Sequence, residues 1–477
     1  MKKVSLQSAT GGPHPTQACD PAAAQSASSD GSTNSWSNTY DPSKCQSPAL
    51  PDLDQCLVNF ANSILVNFGA KSTVPTLPLA DRYLAKNYRN VVVLLLDAMG
   101  TAILQKHLSP DGFFRKHLAG SMSSVFPPTT VAATTSIITG QYPCEHAWLG
   151  WDCYYPQLQK NVTVYLNSDQ LTEANSAFAK EGAEIDEPRD GFPPLEKMRP
   201  AADFHVGFTY TPYKDVISKI TEAGGNAFYS SPFVTPNPQT LDEILTRVKT
   251  LCAEPGRKFV YAYWNEPDGT MHKTGTTSDA THEVITAIEK QVESFAGELP
   301  DDTLLFITAD HGHMDSRNVC LLDYPEITKC LVRLPSIEPR ALNLFVKDEY
   351  KESFPSLWKS TFGEKFLLLS RDEVIAKKLF GPVDAGFAPK PGDDESAGED
   401  AACVSAESAT KDEPVAASVK AHPLFRDMLG DYLAIAISDL SIFNTHIEAH
   451  LMPGGHAGLT QEELEIPLIA VEKGVRK

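Results

Sequence analysis

Val91-Val92-Val93-Leu94-Leu95-Leu96-Asp97-Ala98-Met99-Gly100 is the stretch that decides the architecture. Its apolar residues run without polar alternation and begin with three β-branched valines, the pattern of a strand buried on both faces. An aspartate follows at the strand's carboxyl end. Two other segments repeat the arrangement: Phe259-Val260-Tyr261-Ala262-Tyr263-Trp264 leads through Asn265-Glu266-Pro267 to Asp268, and Leu304-Leu305-Phe306-Ile307 leads through Thr308-Ala309 to Asp310-His311. Such runs belong to a mostly parallel sheet sandwiched by helices, so the expected fold class is α/β. In an open α/β sheet the ligand crevice lies outside the carboxyl ends of the strands. Three acidic residues distant in sequence are therefore expected on one sheet edge.

Histidines accompany those carboxylates. His272 follows Asp268 at the fourth position, His311 adjoins Asp310, and His456 lies in the glycine-rich Pro453-Gly454-Gly455-His456-Ala457-Gly458. Mixed nitrogen and oxygen donors suit zinc or manganese better than calcium or magnesium. Any one of these histidines could instead be a buried, hydrogen-bonded imidazole; it is the set that points to metal. His313, in Asp310-His311-Gly312-His313, reads either as a neighbour of the ligands or as a surface side chain.

The candidate nucleophile sits in Phe126-Pro127-Pro128-Thr129-Thr130, ahead of helix-compatible residues that run to Gly140, which can close a helix in a left-handed cap. Thr129 and Thr130 then fall at a helix N-terminus, where free amides bind anions, although threonines there also serve simply as caps. The helix alone is insufficient. Its terminus contributes roughly 0.3 to 2 kcal/mol to an adjacent anion, against a barrier reduction of up to about 23 kcal/mol for phosphate ester hydrolysis. A pair of metal ions about 3.5 to 4 Å apart can activate a hydroxyl and hold the phosphoryl oxygens.

The 477 residues carry 41 basic and 61 acidic side chains, a net charge of −20, which disfavours a polyanionic partner such as a nucleic acid or an anionic membrane. A phosphate substrate must then meet local positive charge, which bound metal would supply. The opening Met1-Lys2-Lys3-Val4-Ser5-Leu6-Gln7 lacks the apolar core of a secretion signal, and the longest apolar runs are strand-sized. Nine scattered cysteines form no Cys-x-x-Cys pair. A soluble, cytoplasmic protein is expected.

Residues 1–50, rich in Ser, Ala, Gly and Pro, read as a disordered tail, and 385–420, with Asp393-Asp394-Glu395 and Glu399-Asp400, as an acidic low-complexity insertion. Between them, 51–330 is expected to form the first part of a catalytic domain and 331–384 a small inserted βαβα subdomain. Residues 421–477 would complete the catalytic domain and bring the last histidine.

The order Leu95-Leu96-Asp97-Ala98-Met99-Gly100, Phe126-Pro127-Pro128-Thr129-Thr130, Gly140-Gln141-Tyr142-Pro143-Cys144-Glu145-His146, Pro267-Asp268 with His272, Ala309-Asp310-His311-Gly312 and Gly455-His456-Ala457-Gly458 resembles the type I phosphodiesterase/nucleotide pyrophosphatase branch of the alkaline phosphatase superfamily. The resemblance spans about 51–477 and implies an alkaline-phosphatase-like fold and a hydrolase of phosphate esters with two divalent ions, zinc or manganese. It implies that Asp268, His272 and His456 hold one ion, that Asp97, Asp310 and His311 hold the other, and that Thr130 bridges as the nucleophile that becomes phosphorylated. Thr130 rather than Thr129 matches because it lies ten residues before Gly140. The sequence departs from the family at one place: an asparagine that binds a phosphoryl oxygen is replaced, at its nearest equivalent, by Trp151, which would stack on a substrate or simply pack. The substrate is expected to be a small phosphate ester, with a nucleotide one option. Phosphonate hydrolysis, phosphomonoester hydrolysis and phosphomutase chemistry remain open on the same residues, as does a metal-binding module without catalysis. No Cys-x-Pro-x-Arg or Ser-x-Pro-x-Arg near Thr130 supports a sulfatase.

Overall fold

The computed structural model describes residues 47–172, 198–384 and 418–474. The expected tail at 1–50 lies outside the described residues up to 46, and the expected acidic insertion lies outside them from 385 to 417.

The three apolar runs form neighbouring strands of one six-stranded sheet. Across it the strands run Leu118–Ser123, Glu465–Lys473, Thr303–Thr308, Asn90–Leu96, Lys258–Trp264 and Asn226–Ser230. Asn90–Leu96 is central, parallel to Lys258–Trp264 on one side and to Thr303–Thr308 on the other, and buried along its whole length. Asn226–Ser230 continues the parallel set. Glu465–Lys473 runs antiparallel to both its neighbours. It accommodates Pro467, which has no amide to give a ladder, beside a register shift at Leu468/Ile469; the Thr308 hydroxyl donates to the Pro467 carbonyl at 2.7 Å.

Helices cover this sheet through apolar stripes. Leu57–Asn67 and Thr130–Thr139 bring Phe60, Ala61, Ile64 and Ile137 against Val93, Phe259 and Tyr261. Leu241–Ala253 runs against Lys258–Trp264, and Asp279–Glu298 packs on that helix. Asp279–Glu298 buries Thr281, Ile285, Ile288, Val292 and Phe295, the spacing of one helical face, and starts on Ser278, whose hydroxyl accepts from the Thr281 amide.

A second sheet has seven strands, in the order Phe366–Ser370, Tyr432–Ala436, Ala341–Leu344, Ser336–Glu338, Asp152–Tyr155, Lys160–Thr163 and Ser168–Asp169. Within the 331–384 expected to form a βαβα subdomain lie the strand Ala341–Leu344, the helix Phe354–Phe362, the strand Phe366–Ser370 and the helix Arg371–Ala376. Their two strands do not pair with each other. Each pairs antiparallel with Tyr432–Ala436, which lies between them, and the sheet is completed by strands from 152–169. Among the described residues no helix is long and apolar enough to cross a membrane.

Candidate metal centre

The site gathers at the carboxyl ends of the central strands. Asp97 directly follows Asn90–Leu96, and its amide extends the ladder to the Trp264 carbonyl at 3.0 Å. Asp310 and His311 stand two and three residues beyond the adjacent strand Thr303–Thr308. One Asp310 oxygen, Oδ1, accepts from the amides of Ala98 at 3.1 Å and His311 at 3.0 Å, which ties the two strand ends together. His311 donates Nδ1–H to the Gly312 carbonyl at 2.9 Å. A carbonyl can only accept, so the Nε2 lone pair is left facing inward, 3.4 Å from Asp97 Oδ1 and 3.6 Å from Asp310 Oδ2.

Thr130 is the first residue of the helix Thr130–Thr139, which Gly140 closes at φ 68. That left-handed cap is the one the sequence called for. The Thr130 hydroxyl lies 3.4 Å from Asp97 Oδ1 and 3.2 Å from His311 Nε2. Thr129 turns away: its hydroxyl donates to Glu338 Oε1 at 2.6 Å rather than capping its own helix.

Asp268 and His272 share the short helix Asp268–Thr274, where a spacing of four sets them on one face. His456 comes from the glycine-rich loop. His272 and His456 each direct Nδ1 at a backbone carbonyl, Gly454 at 3.0 Å and Pro128 at 3.1 Å respectively. Their Nε2 atoms therefore face each other, 3.2 Å apart, with Asp268 Oδ1 3.3 Å from the first and 3.8 Å from the second.

Two triads result, Asp97–Asp310–His311 and Asp268–His272–His456, each with its donor atoms within 4.8 Å of one another. Burial, reinforced by Asp310 and Asp268, pushes the Asp97 carboxyl well above the usual carboxylate range, and burial followed by Asp310 does the same to Asp268. Burial lowers His272 to about 4 and holds His456 well below its ordinary value. Neutral imidazoles with lone pairs opposed, beside carboxylates whose ion pairs among the described residues run only to histidines, form an arrangement that repels itself. Asp268 Oδ1 and Asp310 Oδ2 are buried without a hydrogen-bond partner. Divalent cations would satisfy all of these atoms, so the residues fit such ions.

Trp151 keeps 40% of its surface exposed and meets the edge of Tyr165, with ring centroids 6.3 Å apart. Its amide donates to Glu338 Oε1 at 2.9 Å, the same oxygen that takes the Thr129 hydroxyl. Glu338 thus joins the Trp151 loop to the start of the Thr130 helix, and burial raises its carboxyl to about 7. Sequence reasoning missed this residue. It follows Ile337, a β-branched residue held at φ 77, which is a strained backbone that no motif announces. Tyr263, whose hydroxyl donates to Asp97 Oδ2, was also missed, though here a signal existed. Tyr263 pairs with Leu95 in a parallel register, so it shares a face with Asp97 two residues on. His146, from the Gly140 motif, is taken up by Ser136 Oγ at 3.0 Å and the Trp148 amide at 3.1 Å. His313 is buried, which removes the surface reading.

The family model for type I phosphodiesterase / nucleotide pyrophosphatase matches residues 91–351, more than half of the chain. A comparison with curated protein sequences found no match. Among solved structures, human ectonucleotide pyrophosphatase / phosphodiesterase 5 aligns with a TM-score of 0.52 at 13% identity, covering 80% of this chain and 87% of that one. The murine protein of the same name, an inactive threonine-to-alanine variant in complex with AMP, aligns with a TM-score of 0.51 at 14% identity, covering 80% and 87%. At these identities the likeness establishes the alkaline-phosphatase-like fold. The match over 91–351 shows that the chain belongs to the type I phosphodiesterase/nucleotide pyrophosphatase family and is a phosphoric ester hydrolase.

Proposed function

We propose that the chain hydrolyses phosphodiesters or nucleotide pyrophosphates through a phosphothreonine intermediate at Thr130, with Asp97, Asp310, His311 and the Thr130 oxygen around one divalent ion and Asp268, His272, His456 around a second. The observation that carries this reading is the meeting of the His311 Nε2 lone pair and an Asp97 carboxylate oxygen at Thr130, whose hydroxyl sits 3.2 Å from His311 Nε2 and 3.4 Å from Asp97 Oδ1. Bound ions, zinc or manganese, would supply the positive charge that a −20 chain lacks, lowering the hydroxyl pKa and neutralising phosphoryl oxygens. The chain's own part is positional. The helix start presents Thr130 Oγ1 and its flanking amides to the phosphoryl group. The Thr130 oxygen bonds to phosphorus as the P–O bond to the leaving group breaks, and water later cleaves the threonyl ester. Tyr263 and the Gly312, Gly454 and Pro128 carbonyls fix the donors so that little reorganisation is needed.

Trp151, exposed beside this centre, would stack on the organic group of the substrate, and the AMP bound by the murine structural neighbour makes a nucleotide base the first candidate. A phosphonate hydrolase, phosphomonoesterase or phosphomutase remains the second reading, because Trp151 stands where the phosphodiesterases carry an asparagine. We also infer a cytoplasmic location, supported by free, buried thiols at Cys56, Cys144, Cys153, Cys252 and Cys330. Recovery of tagged full-length protein mainly from the culture medium would contradict it.

The test of activity is nitrophenol release from a nitrophenyl phosphodiester and from the monoester by zinc-loaded protein, with Thr130→Ala as the blank. Diester preference supports the proposal. Monoester preference, or activity on neither, transfers it to the second reading.

A further inference from the structure

Two motif glycines, Gly312 and Gly458, carry no ligand atom, yet both lie against the same turn of chain. A Cβ at Gly458 would stand 2.7 Å from Glu463 Oε2 and 3.0 Å from Arg340 Nη2, and a Cβ at Gly312 would run into the Glu462 carbonyl. Glu463 fastens both loops. Its Oε1 accepts the Gly458 amide at 2.7 Å, two residues after His456, and its backbone carbonyl accepts the Gly312 amide at 2.8 Å, next to His311. Between these attachments the His311 and His456 rings stack, with centroids 3.9 Å apart and planes at 26°. That stack is where the two triads meet.

Arg340 grips Glu463 in turn. Its Nε donates to Oε1 at 2.6 Å and its Nη2 to Oε2 at 3.0 Å, and the two side chains are buried, at 1% and 0% exposure. Arg340 also donates to the carbonyls of Leu440 at 3.1 Å and Ser438 at 2.8 Å. A Cβ at Gly455 would stand 3.3 Å from Arg340 Cδ, so the loop from Gly455 to Gly458 rests on this pair at both ends. Glu463 closes a capping box with Thr460 as well, but an exposed glutamate does that without an arginine. Taking two ions out of water is costly, and an apolar pair of similar volume would pack as well. What an apolar pair could not do is accept the Gly458 and Thr460 amides from a fixed direction.

We infer that the buried Arg340–Glu463 pair is a positioning device of the metal centre, which sets the His456 loop against the His311 loop and so fixes the separation of the two ions. The inference rests on the proposed metal role of the two triads. Neither Arg340 nor Glu463 is a ligand in it; both act through the backbone that carries His456 and His311. Loss of the carboxylate leaves Gly312 its backbone acceptor but takes one from Gly458, so the His456 group should loosen first.

The test compares metal-free, full-length wild type with Glu463→Gln and with the double variant Arg340→Met, Glu463→Leu. The double variant removes both charges together, so no ion is left buried alone. Glu463→Gln keeps the size and one acceptor oxygen and carries the test if the double variant does not fold. Zinc affinities are read by chelator competition, with His456→Ala marking which affinity belongs to its group, and melting of the metal-free proteins reports stability separately. Electron paramagnetic resonance of protein loaded with two manganese ions reads the exchange coupling between them, which follows their separation rather than overall stability. The expected result is a double variant that binds zinc at the Asp268–His272–His456 group at least about tenfold more weakly, with the other group nearly unchanged and the manganese coupling altered; Glu463→Gln should shift the same way by less. Wild-type zinc affinity and manganese coupling in a folded variant, whatever its melting temperature, would overturn the positioning role and leave the pair as core stability alone. Failure of wild type to bind two ions would remove the two-metal reading, and this inference with it.

Discussion

Asp97, Asp310 and His311 come from the ends of two adjacent parallel strands and are almost wholly buried, at 2%, 0% and 0% exposure. Asp268 and His272 come from one turn of a short helix, with side chains 16% and 20% exposed, and they meet a histidine from a loop 184 residues further along the chain. The first group is fixed by the sheet ladder itself and by amides that fasten Asp310. The second is held by backbone carbonyls and by the small pairing of Met314–Asp315 with Gly454–Gly455. A site can thus be half scaffold and half clasp, with Thr130, the proposed nucleophile, placed against the scaffold half.

The predictions test that asymmetry. The largest effect is expected at Thr130, which touches the first group: Thr130→Ala should lower kcat by roughly 10⁴-fold or more while metal content, read by inductively coupled plasma mass spectrometry, stays at the wild-type value. An unchanged rate would move the nucleophile elsewhere. The next effect concerns metal choice. Two carboxylates and one imidazole in the first group favour manganese more than the imidazole-rich second group does. Protein loaded with one equivalent of zinc and excess manganese should therefore hold zinc in the second group. His456→Ala should abolish that zinc selectivity, and an unaltered zinc content would remove His456 from the ligands.

A smaller change is expected at the rim. Trp151→Ala should raise KM for a nucleotide diester by roughly 5- to 100-fold through lost stacking of about 1–3 kcal/mol, with kcat nearly kept. Equal KM would assign Trp151 to packing alone. The smallest is a stability effect at Glu338, whose carboxyl ionises near 7 when folded against an ordinary 4.5. Between those values the native state holds a proton that the unfolded chain has lost. The contribution is complete below about pH 4.5 and disappears as pH rises through about 7. Glu338→Gln, neutral throughout, should flatten the fall in melting temperature of the metal-free protein between pH 5 and 7. An unaltered slope would show that Glu338 does not titrate there.

The scaffold half was legible in the sequence because its signals are local. Val91 to Leu96 reads as a strand buried on both faces, Asp97 stands at its end, and the same pattern places Asp310 beside it. The helix from Thr130 to Gly140 reads equally well from its own residues. The clasp half was legible only in part. The spacing of Asp268 and His272 suggested a shared face, but nothing near His456 announces that residues 454–455 pair with 314–315. Burial of His313 follows from that pairing, which is why the sequence left its role open. Glu338 was invisible for the same reason. Its place depends on Ile337 adopting a backbone that no sequence pattern predicts, and on a sheet assembled from segments as distant as 152–169 and 432–436.

The central claim, that Thr130 attacks first and water second, is tested most directly by the stereochemical course at phosphorus. A nitrophenyl phosphorothioate diester of defined configuration, hydrolysed in oxygen-18 water, passes through two in-line displacements if Thr130 is the nucleophile, and each inverts the centre. Net retention of configuration is the predicted result. Net inversion would mean that water attacks directly and would contradict the phosphothreonine account.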